Sequence, residues 1–173
     1  MQVIGKGGWE LVVMQHGPSA WDGRPTMYDY APRFAKEIRA VGARPALFMV
    51  WPERSRLESD FHRCSETYRT AAEMVDGLLF PGGEAWMEAW RLDPKLQLYS
   101  FDDLHPSKTG SYLVALTIYE QIYKKSPIGL PSTFKLRGGA KFDIPALRAA
   151  LATPAAYIGV LGSRRNHADR VRR

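Results

Sequence analysis

Apolar positions along the chain follow two alternating patterns: short unbroken runs, and longer stretches with helical spacing. The unbroken runs predict strands at residues 9–15, 46–50, 78–80 and 96–101. The periodic stretches predict helices at residues 28–41, 59–75, 84–92 and 107–123. Unbroken strands, each followed by a helix, are typical of a parallel sheet whose two faces are both buried. We therefore predict an α/β fold, a three-layer α/β/α sandwich with a mainly parallel sheet.

The formal net charge of +6 is concentrated at the C-terminus. Residues 144–173 contain six arginines and one acidic residue, whereas residues 1–143 are close to neutral. A stretch rich in proline and glycine, residues 126–143, precedes this change and predicts an extended connector with a hairpin at 133–142. We therefore predict two parts, residues 1–143 and residues 144–173.

Several classes of protein and site are excluded by composition. No apolar stretch approaches the roughly 18 residues of a membrane span, and residues 1–9 lack the apolar segment of a secretory signal. As written, the sequence predicts a cytoplasmic chain without membrane contact. Cys64 is the only cysteine, so we expect a buried, inert thiol, no zinc site, no other metal and no cofactor.

Residues 101–107 read Phe-Asp-Asp-Leu-His-Pro-Ser and place a carboxylate and an imidazole three positions apart on a predicted loop. Asp102 can accept a hydrogen bond from one ring nitrogen of His105, which leaves the other nitrogen to take a proton from a hydroxyl nucleophile. Pro106 stiffens this turn, and Ser107 suits the N-cap of the next helix. The same residue types are ordinary in turns and caps, so the spacing alone leaves a purely structural role open.

The wider stretch 98–113, Leu-Tyr-Ser-Phe-Asp-Asp-Leu-His-Pro-Ser-Lys-Thr-Gly-Ser-Tyr-Leu, resembles the last sequence block of SGNH (GDSL-type) hydrolases. In that family, Asp-x-x-His-Pro supplies two members of a catalytic triad. Residues 9–19 resemble the third block, a strand leading to an oxyanion loop, and residues 46–52 and 79–86 resemble a later strand and loop. The resemblance spans residues 8–143. It implies a flavodoxin-like SGNH fold, here incomplete, and esterase or acetylesterase activity.

Carried onto this chain, the resemblance makes His105 the general base and Asp102 the residue that orients it. The oxyanion block usually reads Gly-x-Asn but here reads Gly17-Pro18-Ser19. Gly17 therefore keeps its backbone donor, while Ser19 replaces the expected asparagine. The amide of Gln15 is an alternative side-chain donor, although a structural role for it is equally open.

The nucleophile that the resemblance implies is missing from these 173 residues. The family carries its serine in an earlier block, Gly-Asp-Ser or Gly-Asn-Ser, and we expect this chain to begin too late to contain that block. Without a serine opposite His105, acyl transfer is not expected to run. Ser19 is a weak substitute because it matches the oxyanion position, which leaves Ser163 as a speculative nucleophile.

The C-terminal part is predicted to contain a helix at 146–152, a strand at 156–161 and the start of a basic helix. Gly162, Arg164 and Arg165 stand at the turn between strand and helix and are candidates for binding a phosphate, although a plain turn explains them equally. Residues 144–173 resemble part of the Rossmann-like domain of XdhC/CoxI-type xanthine dehydrogenase accessory proteins. As a hypothesis, strand 156–161 fills an open edge of the sheet and brings Ser163 to the site.

Two readings of function follow. In the first, the chain descends from SGNH hydrolases and acts on a small ester or an acetylated carbohydrate. In the second, it is a non-catalytic fragment or fusion whose arginine-rich C-terminus binds an acidic partner or a nucleotide phosphate. We do not expect nucleic-acid binding, because the arginines are not interleaved with aromatic residues. An open sheet edge would permit self-association.

Overall fold

The computed structural model describes residues 2–131, 133–135 and 141–143. Its strands are β1 (Leu11–Met14), β2 (Arg44–Met49), β3 (Leu78–Pro81), β4 (Thr133–Lys135) and β5 (Lys141–Asp143). Its α-helices are α1 (Arg24–Ala40), α2 (Leu57–Met74), α3 (Gly82–Leu92) and α4 (Lys108–Tyr123), and 3-10 turns lie at Ile4–Lys6 and Arg54–Arg56. The chain is α/β, as the sequence predicts.

Strands β1, β2 and β3 form a parallel sheet in that order. Val13 lies opposite Ala46, and Leu47 lies opposite Leu79. Parallel neighbours need a crossover connection, and α1 and α2 supply the two that this sheet requires. The carboxyl ends of all three strands therefore meet at one edge, which we call the carboxyl edge. In α/β folds this is where functional residues gather.

The core lies between the sheet and the first two helices. Leu47 and Met49, two positions apart on β2 and so on the same face, are almost fully buried. The same buried cluster contains Met27, Ala31 and Ala35 of α1 and Cys64, Tyr68, Ala71 and Ala72 of α2. The alanines let both helices approach the sheet closely. Cys64 is a buried free thiol, as predicted, and burial raises its pKa.

Helix α1 begins at Arg24, four positions before the predicted start. Pro25 explains the difference, because a proline in the first turn has the φ of a helix and lacks only an N–H that would have no helical partner. The helix ends at Ala40, one position before the predicted end, and Gly42 follows it with φ 79°, as a glycine after a helix end commonly does.

The prediction that β1 is a buried strand is wrong. Among the strands that the structure describes, β1 lies at the end of the sheet order, and Val13 is 48% exposed. An edge strand has a neighbour on one side only, so an apolar run is not sufficient to bury it.

The prediction of a strand at residues 96–101 is also wrong, because in this segment only Tyr99 makes a β-type pairing, and it is a single one. Ser107 occupies the backbone acceptors that a neighbouring strand would need. Its N–H donates to the carbonyl of Leu98 at 2.8 Å, and its hydroxyl donates to the carbonyl of Gln97 at 2.6 Å. The Ser107 hydroxyl also accepts from the N–H of Gly110 at 3.0 Å, so Ser107 is the N-cap of α4, as predicted.

Strands β4 and β5 pair antiparallel, which confirms the predicted hairpin. Residues 144–173 lie outside the described residues, and so do the helix, strand and basic helix predicted there. In the part of the chain that the structure describes, no helix has both the length and the apolar character of a membrane span.

Contacts divide the chain into two compact units. The first comprises the chain up to Gly83 together with Tyr99–His105, and it holds the parallel sheet, α1 and α2. The second comprises Glu84–Leu98 and, among the described residues, the chain from Pro106 onward. Within it α4 approaches α3 so closely at Gly110 that a Cβ there would lie 2.5 Å from the Trp86 ring.

Candidate active site

Residues 101–105, here called the 101–105 loop, belong to the first unit and form a tight turn. The loop is closed by the residue just before it, because the backbone N–H of Ser100 donates to the carbonyl of His105 at 2.8 Å. Asp103 stands in the middle with φ 53°, in the left-handed region that non-glycine residues seldom adopt. The loop therefore needs contacts that hold Asp103 in this conformation.

The side chains of Asp102 and His105 are hydrogen-bonded to each other, with Nδ1 of His105 2.6 Å from Oδ2 of Asp102. The other oxygen, Oδ1, accepts the backbone N–H groups of Leu104 at 3.1 Å and His105 at 2.9 Å. The hydrogen bond that the spacing predicts is thus present, and its use in catalysis stays a prediction. The His105 side chain is 72% exposed, and within the described ranges nothing is hydrogen-bonded to its Nε2.

These hydrogen bonds lower the pKa of Asp102 to about 2, the bond from His105 being the largest cause and the two backbone N–H groups the next. Asp102 is therefore ionised at neutral pH. An ionised carboxylate on Nδ1 favours the tautomer with hydrogen at Nδ1, which leaves Nε2 of His105 as a proton acceptor. The pair can act as a general base towards a hydroxyl group.

The segment that follows β2 holds the 101–105 loop at the carboxyl edge. The indole N–H of Trp51 donates to the carbonyl of Leu104 at 3.1 Å. Arg54 contacts Asp103 twice, through Nε to Oδ1 at 2.6 Å and through its backbone N–H to the carbonyl at 2.9 Å. The loop that carries Asp102 and His105 is therefore fixed to the end of the central strand.

Residues 15–23, here called the 15–23 loop, follow β1 in the same unit. The buried hydroxyl of Tyr68 accepts from the backbone N–H of His16 at 3.1 Å and donates to its carbonyl at 2.7 Å. Burial raises the pKa of Tyr68, so this hydroxyl keeps its proton. Gly23 lies against the imidazole of His16, where a Cβ would be only 2.2 Å from Cε1. The loop backbone therefore has a fixed path.

Charged residues of the same region add further contacts. Arg56 bonds to the carboxylate of Asp22 at 2.9 Å and to that of Asp60 at 2.5 Å, and the bond with Asp22 is the largest cause of its raised pKa. The guanidinium of Arg63 lies over the ring of Trp21, 5.0 Å from its centre. The far half of the 15–23 loop is thus attached to α2 and the turn before it.

The predicted oxyanion residues all lie on the 15–23 loop. Gly17 is half-buried and has open space around the position of a Cβ. Gln15 and Ser19 are exposed, and among the described residues neither side chain makes a hydrogen bond. The structure thus shows a backbone that could present the N–H of Gly17, while the donor roles of Gln15 and Ser19 stay predictions.

The remaining predicted site residues, Ser163, Gly162, Arg164 and Arg165, lie outside the described residues. For the part of the chain that is described, no group of three or more histidine, cysteine, aspartate or glutamate side chains could hold a metal ion.

The sequence did not single out the residues that hold the two loops. Tyr68 and His16 are 52 positions apart, and Arg54 and Asp103 are 49 positions apart, so no local pattern links them. The one signal available was the likeness of residues 46–52 to a family strand and loop, which places Trp51 just beyond a strand end.

No family model and no curated protein matches this chain. Among solved structures, a "putative SGNH hydrolase" from Slackia heliotrinireducens is similar, with 26% identity, a TM-score of 0.59 and coverage of 69% of each chain. A DUF4886 family protein from Bacteroides uniformis has 15% identity and a TM-score of 0.62 over 79% of this chain. This chain spans 58% of that protein, and at such identity the likeness concerns the fold alone.

The chain thus has an SGNH-hydrolase-like α/β fold. Neither neighbour supports the resemblance of residues 144–173 to XdhC/CoxI-type proteins.

Proposed function

We propose that this chain carries the general base of an SGNH-type hydrolytic site that acts on an ester or acetyl group. His105 is the base and Asp102 orients it. The observation that carries this proposal is the 2.6 Å contact between Nδ1 of His105 and Oδ2 of Asp102, with Oδ1 occupied by two backbone N–H groups. The two backbone N–H bonds to Oδ1 are sufficient to stabilise the turn. The exposed imidazole on Oδ2 is not needed for that purpose.

In this proposal, Nε2 of His105 removes the proton of a hydroxyl group as its oxygen attacks the ester carbonyl. The proton then passes to the departing alcohol when the bond between the carbonyl carbon and the alcohol oxygen breaks. Asp102 stays ionised throughout and stabilises the imidazolium. The high exposure of His105 supports the proposal, because a hydroxyl group and a substrate can both reach Nε2.

The oxyanion that forms on the carbonyl needs donors that are in place before the reaction. We assign this role to the backbone N–H of Gly17, with the Gln15 amide or the Ser19 hydroxyl as a second donor. The support is that the 15–23 loop follows β1 at the carboxyl edge and that Tyr68 holds its backbone at His16 by two hydrogen bonds.

The hydroxyl group opposite Nε2 is the least defined part of the site. No Gly-Asp-Ser or Gly-Asn-Ser sequence occurs in the 173 residues. Ser163 remains the candidate within this sequence. A water molecule activated by His105 is the alternative and would give slower turnover, because a triad site without its nucleophile retains only a small part of its rate.

The test is turnover of p-nitrophenyl acetate by the wild-type chain, by His105→Ala and by His62→Ala as a matched control. His62 is an exposed histidine on α2. We expect turnover above the buffer rate that falls to the buffer rate in His105→Ala and is unchanged in His62→Ala. No turnover in the wild type, or equal turnover in His105→Ala, would contradict the proposal and favour a non-catalytic chain.

Mass spectrometry after treatment with a fluorophosphonate probe locates the nucleophile in the same samples. A labelled Ser163 that disappears in His105→Ala would assign the nucleophile to this chain. Turnover without any labelled serine would indicate that His105 acts on water.

A further inference from the structure

We infer that Arg54 is a positioning residue for the Asp102–His105 pair and acts on it through Asp103. This inference rests on the proposed function only where the pair is called a general base. The contacts of Arg54 do not depend on any reaction. No motif in the sequence marks Arg54, which lies in the 3-10 turn Arg54–Arg56 beyond β2.

Arg54 holds both the side chain and the main chain of Asp103. Its Nε donates to Oδ1 at 2.6 Å, and its backbone N–H donates to the carbonyl at 2.9 Å. Arg54 therefore restrains two groups of Asp103. One is the carboxylate, and the other is the peptide that leads to Leu104.

The conformation held in this way is an unfavourable one. Asp103 has φ 53°, and left-handed backbone is disfavoured for residues with a Cβ. This turn also directs the N–H groups of Leu104 and His105 to Oδ1 of Asp102. If Asp103 relaxed to an ordinary backbone conformation, Asp102 would lose these two donors and its fixed orientation towards His105.

The guanidinium of Arg54 is itself held by an aromatic ring. Its central carbon lies over Tyr99, 4.8 Å from the ring centre, and the Tyr99 hydroxyl donates to the carbonyl of Pro52 at 2.5 Å. Tyr99 is only 3% exposed. A planar guanidinium can stack on this ring and donate sideways to Asp103 at the same time, whereas a lysine ammonium cannot do both.

The ion pair between Arg54 and Asp103 is expected to add little to the free energy of folding. Its two side chains are 48% and 59% exposed, and exposed ion pairs contribute little to folding. The direct charge of Arg54 is also not among the causes that lower the pKa of Asp102. Loss of the Arg54 side chain should therefore alter the geometry of the Asp102–His105 pair with little change in melting temperature.

The experiment compares Arg54→Gln and Arg54→Lys with the wild type by NMR. The readouts are the pKa of Asp102, from its carboxyl carbon, and the tautomer of His105, from its ring nitrogens. We expect the pKa of Asp102 to rise from about 2 towards its ordinary value near 4 and the share of the Nδ1–H tautomer to fall in both variants. Arg54→Lys matters because it keeps the positive charge.

Arg33→Gln is the matched control. Arg33 makes an ion pair with Asp29 at 2.6 Å and lies over Tyr30, 5.2 Å from the ring centre, so it loses the same kinds of contact elsewhere on the surface. It should leave both readouts unchanged.

Unchanged readouts in Arg54→Gln would overturn the inference, and a shift in Arg54→Gln but none in Arg54→Lys would show that charge rather than positioning is responsible. If Arg54→Gln fails to fold, Arg54→Lys still decides. Neither readout requires turnover. The inference can thus stand when the esterase test fails, or fail when that test succeeds.

Discussion

The two loops at the carboxyl edge are both held by residues about 50 positions away in the chain, but they differ in how their candidate catalytic groups are ordered. In the 101–105 loop, the candidate catalytic side chains of Asp102 and His105 are three positions apart and bond to each other. In the 15–23 loop, the order comes from distant residues, Tyr68 at a separation of 52 positions and Arg56 at 34. Its candidate donor side chains are exposed.

The two loops thus order different parts of the candidate site: side chains in the 101–105 loop and backbone in the 15–23 loop. The 101–105 loop fixes two side chains in a defined mutual orientation, with Asp102 ionised. The 15–23 loop fixes a backbone path and leaves the side chains of Gln15 and Ser19 exposed. For stabilising an oxyanion a fixed backbone is the more useful feature, because a preorganised N–H such as that of Gly17 loses no freedom during the reaction.

Among substitutions that test the two loops, the largest effect on stability is expected from Tyr68→Phe. The hydroxyl of Tyr68 serves both the N–H and the carbonyl of His16, and Tyr68 is fully buried. Its removal leaves two polar groups without a partner, so the free energy of unfolding should fall by about 2 kcal/mol. Urea denaturation measures this, with Tyr30→Phe as the control, since Tyr30 is 49% exposed. Equal stability of Tyr68→Phe and wild type would show that the Tyr68 hydroxyl does not stabilise the 15–23 loop.

A smaller loss is expected from Gly23→Ala. The new Cβ would lie 2.2 Å from the His16 ring, which must move, so we expect a loss of about 1 kcal/mol in the free energy of unfolding. Gly17→Ala on the same loop has open space at this position and should be neutral or slightly stabilising. Thermal unfolding of the two variants side by side checks the prediction, and equal losses would contradict the fixed path of the loop.

A still smaller effect concerns pH and the 101–105 loop. The pKa of Asp102 in the folded chain is lowered to about 2 from an ordinary 3.8. The unfolded chain therefore binds the proton first, and the stability from Asp102 is present above about pH 4 and lost as the pH falls towards 2. Acid unfolding should be shallower in Asp102→Asn than in the wild type, with the two curves converging near pH 2. Parallel curves would contradict the lowered pKa.

The smallest effect is expected from Phe101→Ala. Phe101 stands beside Asp102 and is 100% exposed, so the free energy of unfolding should change by less than about 0.5 kcal/mol. Phe80→Ala is the matched substitution in the core, where Phe80 is 1% exposed, and should cost about 3–5 kcal/mol. A large loss in Phe101→Ala, measured by urea denaturation, would mean that this aromatic side chain is covered.

The same distinction between local and distant contacts explains what could be predicted from the sequence. The order of strands and helices and the contact between Asp102 and His105 follow from short-range patterns. The strand at 96–101 was wrong because an apolar run does not reveal that Ser107 occupies its backbone acceptors. The roles of Tyr68 and Arg54 could not be read, because each depends on a partner about 50 positions away in the chain.

The most direct test of the central claim is the turnover of p-nitrophenyl acetate by Asp102→Asn. An asparagine keeps the shape but cannot hold the imidazolium, so turnover should fall about ten-thousandfold. The control is Asp29→Asn, an exposed carboxylate paired with Arg33, which should match the wild type. Turnover of Asp102→Asn within about tenfold of the wild type would contradict the assignment of the Asp102–His105 pair as the base of a hydrolytic site.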